Sequence, residues 1–148
     1  HRYSSAASDV YKRQAQDCLD MMEQTGVDGV TVARGAIGNP WIFRQALALM
    51  AGEPLPDPPT LWTQREVISE HYRLAESLYG EQRCGTLMRK FGIKYSALHP
   101  DYEAVRTAFV KVRSREDWEE VLRVNYAEDR PGCYPEGRLH RAMGSCEN

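Results

Sequence analysis

The apolar positions change rhythm twice along the chain. Between Ala15 and Thr25 they fall at Cys18, Leu19 and Met22, one face of a helix. Gly26 follows where a C-terminal cap belongs, because glycine enters the left-handed region without a Cβ penalty. The next segment, Val27-Asp28-Gly29-Val30-Thr31-Val32-Ala33, is short and β-branched and predicts a strand. After a glycine-rich loop from Arg34 to Asn39, the helical period returns in Trp41, Ile42, Gln45, Ala46, Leu49 and Met50. Asn39-Pro40 predicts the start of this helix, asparagine as cap and proline in the first turn, and Gly52 predicts its end. Helix, glycine, strand, loop, helix is the rhythm of an α/β protein. A lone strand cannot stand by itself, so its parallel neighbours are expected upstream.

Pro54, Pro56, Pro58 and Pro59 make a stiff linker, which places a domain boundary over 53–60 between an α/β part, 15–52, and whatever follows. From there the pattern is purely helical. Thr63-x-x-Glu66 has capping-box spacing and precedes a stripe of Val67, Ile68, His71, Tyr72, Ala75, Leu78 and Tyr79. Gly80 breaks it. A second helix from about Glu81 carries Cys84, Leu87, Met88, Phe91, Tyr95 and Leu98, and His99-Pro100 stops it. A third carries Val105, Ala108, Phe109 and Val112; a fourth opens at Ser114-x-x-Asp117 and packs Trp118, Val121 and Leu122. Four short amphipathic helices with short connections predict an all-α bundle over 61–125. The polar segment 126–148 is expected to be a loosely ordered tail. At the other end, 1–14 is Ser/Ala-rich and without useful periodicity. Its Asp9-Val10-Tyr11-Lys12-Arg13-Gln14 reads like the translation of a transposon end used in sequencing-library preparation, so the segment is set aside as a non-native scar.

Length sharpens the α/β reading. At 148 residues the chain is shorter than the roughly 250 of a complete (β/α)8 barrel. No apolar run approaches the roughly 20 residues that span a bilayer. Cys18, Cys84, Cys133 and Cys146 are scattered, with no spacing that suggests a metal site, and are expected to be free thiols in a reducing cytoplasm. Net charge is -2, which by itself suggests no nucleic-acid partner. The local balance differs. Between positions 83 and 115 stand Arg83, Arg89, Lys90, Lys94, Arg106, Lys111, Arg113 and Arg115, against only Asp101 and Glu103. Such a run is either a solvated helix face or a phosphate-binding patch. Arg89, Lys90 and Lys94 are spaced to share a flank of one helix, away from the Leu87/Phe91 stripe. Tyr95 has two readings, base stacking and core packing. His71, inside an apolar stripe, reads as a satisfied core histidine, and Cys84 as core. Ala33, Arg34 and Gly35, at the C-terminal end of the predicted strand, combine small side chains, backbone donors and a fixed positive charge. They suit a phosphate, or form no more than a tight strand-to-helix turn.

The run Asp28-Gly29-Val30-Thr31-Val32-Ala33-Arg34-Gly35-Ala36-Ile37-Gly38-Asn39-Pro40-Trp41-Ile42-Phe43 closely resembles the eighth strand and following helix of the tRNA-dihydrouridine synthases, whose pattern is near D-G-V-M-I-G-R-G-A-x-G-N-P-W-I-F. Thr31 and Ala33 depart from it. Leu87-Met88-Arg89-Lys90-Phe91-Gly92-Ile93-Lys94-Tyr95 resembles the M-R-K-H-x-x-W-Y segment of the same family's C-terminal helical domain, with Phe91 and Lys94 in place of His and Trp. The resemblance covers roughly 15–124. It implies the last βα unit of an FMN-binding TIM barrel followed by a helical tRNA-binding domain. It further implies an enzyme that reduces uridine in tRNA to dihydrouridine with FMN and NADPH. Ala33, Arg34 and Gly35 would hold the FMN phosphate, and Arg89, Lys90, Lys94 and Tyr95 would contact tRNA. The family's proton-donating cysteine lies in an upstream barrel loop that none of these four cysteines matches, so this stretch alone is expected to show no turnover. The alternatives are another FMN barrel oxidoreductase acting on a small molecule, and a helical RNA-binding module without chemistry.

Overall fold

The computed structural model describes residues 5–6 and 14–134, and the chain divides into two compact units, 1–57 and 58–148. In the first unit, α1 (Ala15–Thr25) opens where Gln14 donates its backbone N–H to Asp17 Oδ2 at 2.9 Å, and closes on Gly26 in the left-handed conformation, φ 65°. Strand β2 (Gly29–Val30) is much shorter than the Val27–Ala33 run suggested. A strand exists only as far as a neighbour bonds it. Here that neighbour is β1 (Ser5–Ala6), parallel, pairing Ser5 with Gly29 and Ala6 with Val30. Those two residues belong to the segment set aside in the sequence reading; 1–4 and 7–13 lie outside the described residues. A 3₁₀ turn, Arg34–Ala36, then leads to α2 (Ile42–Met50). Asn39 does not cap α2 from its side chain as predicted. It is buried, its carbonyl accepts from Ile42 N at 3.2 Å, and its amide reaches Gln45 Oε1 at 3.5 Å. Ile42, Gln45 and Ala48 of α2 and Ala15 and Cys18 of α1 are buried, and the two helices pack together.

The second unit is helical throughout: α3 (Leu61–Tyr79), α4 (Glu81–Tyr95), α5 (Tyr102–Lys111) and α6 (Arg115–Asn125). Thr60, not Thr63, caps α3: its hydroxyl accepts from Thr63 N at 3.3 Å. Placing the cap three residues earlier sets Leu61 and Gln64 on the inner face. Ser114 caps α6 as the sequence predicts, in a reciprocal box with Asp117. The core joins Ile68, Tyr72 and Ala75 of α3 to Cys84, Met88 and Tyr95 of α4, Val105 and Phe109 of α5, and Trp118, Val121 and Leu122 of α6. α4 packs on α3, α5 and α6. Two glycines permit this. A Cβ at Gly85 would lie 2.6 Å from the Arg113 carbonyl carbon and 2.8 Å from Ser114 Cα; one at Gly92 would lie 2.7 Å from Phe109 Cε1.

The tail begins later than its polarity implied. Tyr126 is fully buried in the core. The next residues form a strap across the start of α3: Leu61 N donates to Arg130 O at 2.9 Å, Trp62 N to Asp129 Oδ1 at 3.1 Å, and Arg65 Nη1 to Tyr126 O at 3.3 Å. Cys133 N donates to Leu98 O at 2.8 Å, and Arg130 pairs with Asp101 at 2.8 Å. Gly132 is buried so closely on the Pro59 carbonyl and the Gln64 amide that a side chain has no room. A polar sequence hid this ordering because the bonds come from backbone groups, which composition does not report. Residues 135–148 lie outside the described residues.

Candidate functional site

Two surfaces carry the residues singled out by sequence, one in each unit. In the first, the chain leaves the C-terminal end of β2 and winds through overlapping tight turns: Ala36 N donates to Ala33 O at 3.1 Å, Ile37 N to Arg34 O at 3.3 Å, and Asn39 N to Ala36 O at 3.2 Å. Ala33 and Arg34 are exposed and Gly35 is half-buried. The structure thus brings the three predicted residues together at a strand's C-terminal end, a cation flanked by a methyl and a hydrogen. This donor set suits a phosphate, which asks for positive charge and close backbone approach. Ala33 itself sits at φ -111°, so the turn does not require a glycine there.

In the second unit the basic residues separate into distinct groups. Arg115 is taken up by ion pairs with Glu76 at 3.0 Å and Glu119 at 2.8 Å. Among the described residues, Arg83, Arg89, Lys90 and Lys94 of α4 appear in no ion pair. They do not share one flank as the spacing suggested. At ~100° per residue, 83, 87, 90 and 94 form one row, while 89 stands about 100° round the axis from 90. Accordingly Lys90 and Lys94 are exposed, whereas Arg89 is half-buried. Leu87 lies in the basic row, not opposite it, and helps line an open groove with Tyr79, Gln82, Arg83, Thr86 and Lys90. Sequence reasoning passed over Tyr79, assigning it to the apolar stripe; it is 53% exposed at the C-terminal end of α3. Its position just before the helix-breaking Gly80 was the available signal.

Tyr95 takes the packing role, not the stacking one. Its ring is 5% exposed, and its hydroxyl lies 3.0 Å from His71 Nδ1. His71, expected as a satisfied core histidine, has the Tyr95 hydroxyl as its partner and meets the Phe91 ring edge-on, centroids 4.9 Å apart, but it is half-buried and not part of the core. Burial holds the His71 pKa below its usual value and raises that of the Tyr95 hydroxyl. Cys84 is core as expected: it is fully buried, its thiol reaches Tyr72 O at 3.7 Å, and burial pushes its pKa up. Cys18 is buried, its thiol 3.8 Å from Gln14 O, and Cys133 is half-buried; Cys146 is outside the described residues. No group of three metal-ligating side chains occurs among the described residues, and none of their helices is long and apolar enough to cross a membrane.

Comparison with known proteins agrees with the two motifs. The profile of the dihydrouridine synthase (Dus) family matches residues 9–129. A probable tRNA-dihydrouridine synthase of Mycobacterium tuberculosis is 35% identical over 114 residues, 77% of this chain and 29% of that protein. The corresponding Mycobacterium leprae protein is 34% identical over the same share of each chain. The tRNA-dihydrouridine synthase B of Pseudomonas putida is 36% identical over 90 residues, 60% of this chain and 26% of that protein. The chain therefore spans under a third of the length of these relatives. With most of its length matched by the profile, it belongs to the dihydrouridine synthase family.

Proposed function

We propose that this chain is the FMN-phosphate corner and the tRNA-binding helical part of a tRNA-dihydrouridine synthase, an enzyme that reduces uridine in tRNA to 5,6-dihydrouridine. The observation that carries the reading is the pairing, in one family member, of an exposed Arg34 between small residues at a strand end with an α4 face whose cations are in no ion pair among the described residues. Ala33, Arg34 and Gly35 would hold the FMN phosphate, and the flavin would supply hydride-transfer chemistry toward the uracil ring, with NADPH as the reductant. The chain's own part is binding and orientation. Arg34 offers charge and planar donors to the phosphate, and Ala33 and Gly35 keep side-chain bulk away from it. Arg89, Lys90 and Lys94 supply the sequence-independent attraction to the tRNA backbone. Tyr95 acts behind them, bracing α4 through the core.

Neither Cys84 nor Cys18 suits the acid that protonates the ring. Cys84 is enclosed and its thiol pKa is raised; Cys18 is buried on α1. This span by itself has no turnover. The gene carrying it, expressed in a host stripped of its own synthases, restores dihydrouridine in tRNA, read by mass spectrometry of tRNA nucleosides. Arg34→Gln in that protein lowers the flavin absorbance that co-purifies. Bound flavin without dihydrouridine would replace this reading with an FMN oxidoreductase acting on a small molecule.

A further inference from the structure

The open groove on the outer side of α4 is lined by Tyr79, Gln82, Arg83, Thr86, Leu87 and Lys90, with no carboxylate among them. Arg83, Lys90 and Lys94 fall at i, i+7 and i+11, a row that climbs one face of the helix, and Lys90 and Lys94 stand about 6 Å apart along its axis. The groove begins at the N-terminus of α4, the positive end of the helix dipole, where Gly80 has no side chain with which to cap the first turn. Glu81 lies about 180° round the helix from Lys90, so it does not face the groove. Glu70 is held by Arg73 at 2.6 Å, and Glu76 by Arg115. The exposed Tyr79 ring and the half-buried Leu87 side chain give this cationic row an apolar floor at one end.

We infer that this groove holds a single-stranded stretch of RNA: Arg83 and Lys90 in the groove, with Lys94 one turn beyond it, hold backbone phosphates, and the Tyr79 ring stacks on an unpaired base. The assignment rests on the tRNA-binding reading above and moves the stacking role from Tyr95 to Tyr79. A planar ring beside a cation row is the chemistry that binds unpaired nucleotides. A purely acidic polypeptide would use the cations and leave the ring idle.

The test measures binding of the 148-residue chain to unmodified tRNA transcript, to a blunt RNA duplex of similar length and to polyglutamate, over a salt series. Wild type is expected to prefer the transcript. Tyr79→Ala weakens transcript binding about tenfold, within the roughly 1–3 kcal/mol measured for loss of one stacked base, and leaves duplex binding unchanged; Tyr79→Phe binds as wild type. Arg83→Gln/Lys90→Gln lowers the salt slope by about 1.4, the single-strand value for two phosphates. The charge-matched control Arg73→Gln/Arg123→Gln, exposed and outside the groove, keeps the wild-type slope. All these side chains are exposed or half-buried, and circular dichroism verifies the fold of each variant. Transcript binding that persists in the groove variants with the wild-type slope overturns the groove and leaves the tRNA reading standing. Failure of wild type to bind any RNA overturns both. Polyglutamate bound as tightly as the transcript overturns the inference in favour of an acidic protein partner.

Discussion

Helices α2 and α4 are both amphipathic, yet they meet different surroundings. α4 turns Cys84, Met88 and Tyr95 into a core shared with three other helices, and its outer side is cationic. α2 buries Ile42, Gln45 and Ala48, but Phe43, Leu47 and Met50 are 51%, 65% and 55% exposed. Those three recur at i, i+4 and i+7, a second apolar stripe on one helix. The large side chains buried under 2% in the helical unit include Trp118, Tyr126, Phe109, Ile68 and Met88; in the first unit, among the described residues, Ile42 and Gln45 are the ones of that kind. The helical unit closes its own core. The α/β unit is patterned for neighbours on more than one side, which is what a βα element of a larger sheet needs.

Substitutions make the contrast measurable. Trp118 lies at the junction of α3, α5 and α6, its ring centroid 5.0 Å from those of both Tyr72 and Phe109. Trp118→Ala is expected to cost about 3–5 kcal/mol, the range for a large aromatic deleted from a core. Leu47→Gln on α2 should cost less than about 0.5 kcal/mol in this chain, because its side chain already stands in water. Guanidinium unfolding followed by circular dichroism reads both. Equal costs would abolish the distinction between a closed and an open unit.

The strap is the next point of leverage. Gly132→Ala pushes a methyl onto the Pro59 carbonyl and the Gln64 amide, and overpacking of this kind costs about 1–3 kcal/mol. Gly80→Ala is no substitute for this test, since its cost would come from the positive φ of 79° and not from crowding. A Gly132→Ala variant that unfolds at the wild-type denaturant concentration would mean that 126–134 is a tail after all.

Which features were legible in sequence follows from which are local. Gly26, Gly80 and Ser114 announced helix ends because a left-handed turn or a capping hydroxyl acts within a few residues. The stripes of α3 to α6 were legible because burial repeats with the helical period. The length of β2 was not, since it depends on a partner strand. Thr63 reads as a cap because Glu66 completes a box on paper, while the structure begins the helix at Leu61, where the strap takes up its N–H. At the candidate sites, Ala33, Arg34 and Gly35 are adjacent in sequence and so necessarily adjacent in space. Tyr95 misled because aromatic residues serve cores and bases alike; only its 5% exposure separates the two. Arg89, Lys90 and Lys94 read as one flank by their spacing, but only 90 and 94, four apart, share a row, while 89 stands about 100° from 90 round the axis.

The smallest expected effect concerns pH, and it also falls on the helical unit. His71 is held by the Tyr95 hydroxyl at 3.0 Å and the edge contact with Phe91, and burial lowers its pKa below the ordinary 6.5. The unfolded chain therefore binds the proton more readily than the folded one. Stability from this site is fully present above about pH 6.5 and declines as pH falls through 6.5 toward the lower folded value. The decline is modest because the ring is only half-buried. His71→Gln should flatten the stability profile between pH 7.5 and 5.5, whereas Arg73→Gln, two residues on and on the solvent side of the helix, should leave its shape alone. His99, the other histidine among the described residues, is present in both variants, so the difference between them isolates His71. If the two profiles bend alike, proton uptake in this range belongs to another group, and the contact between His71 and Tyr95 contributes packing without a pH response.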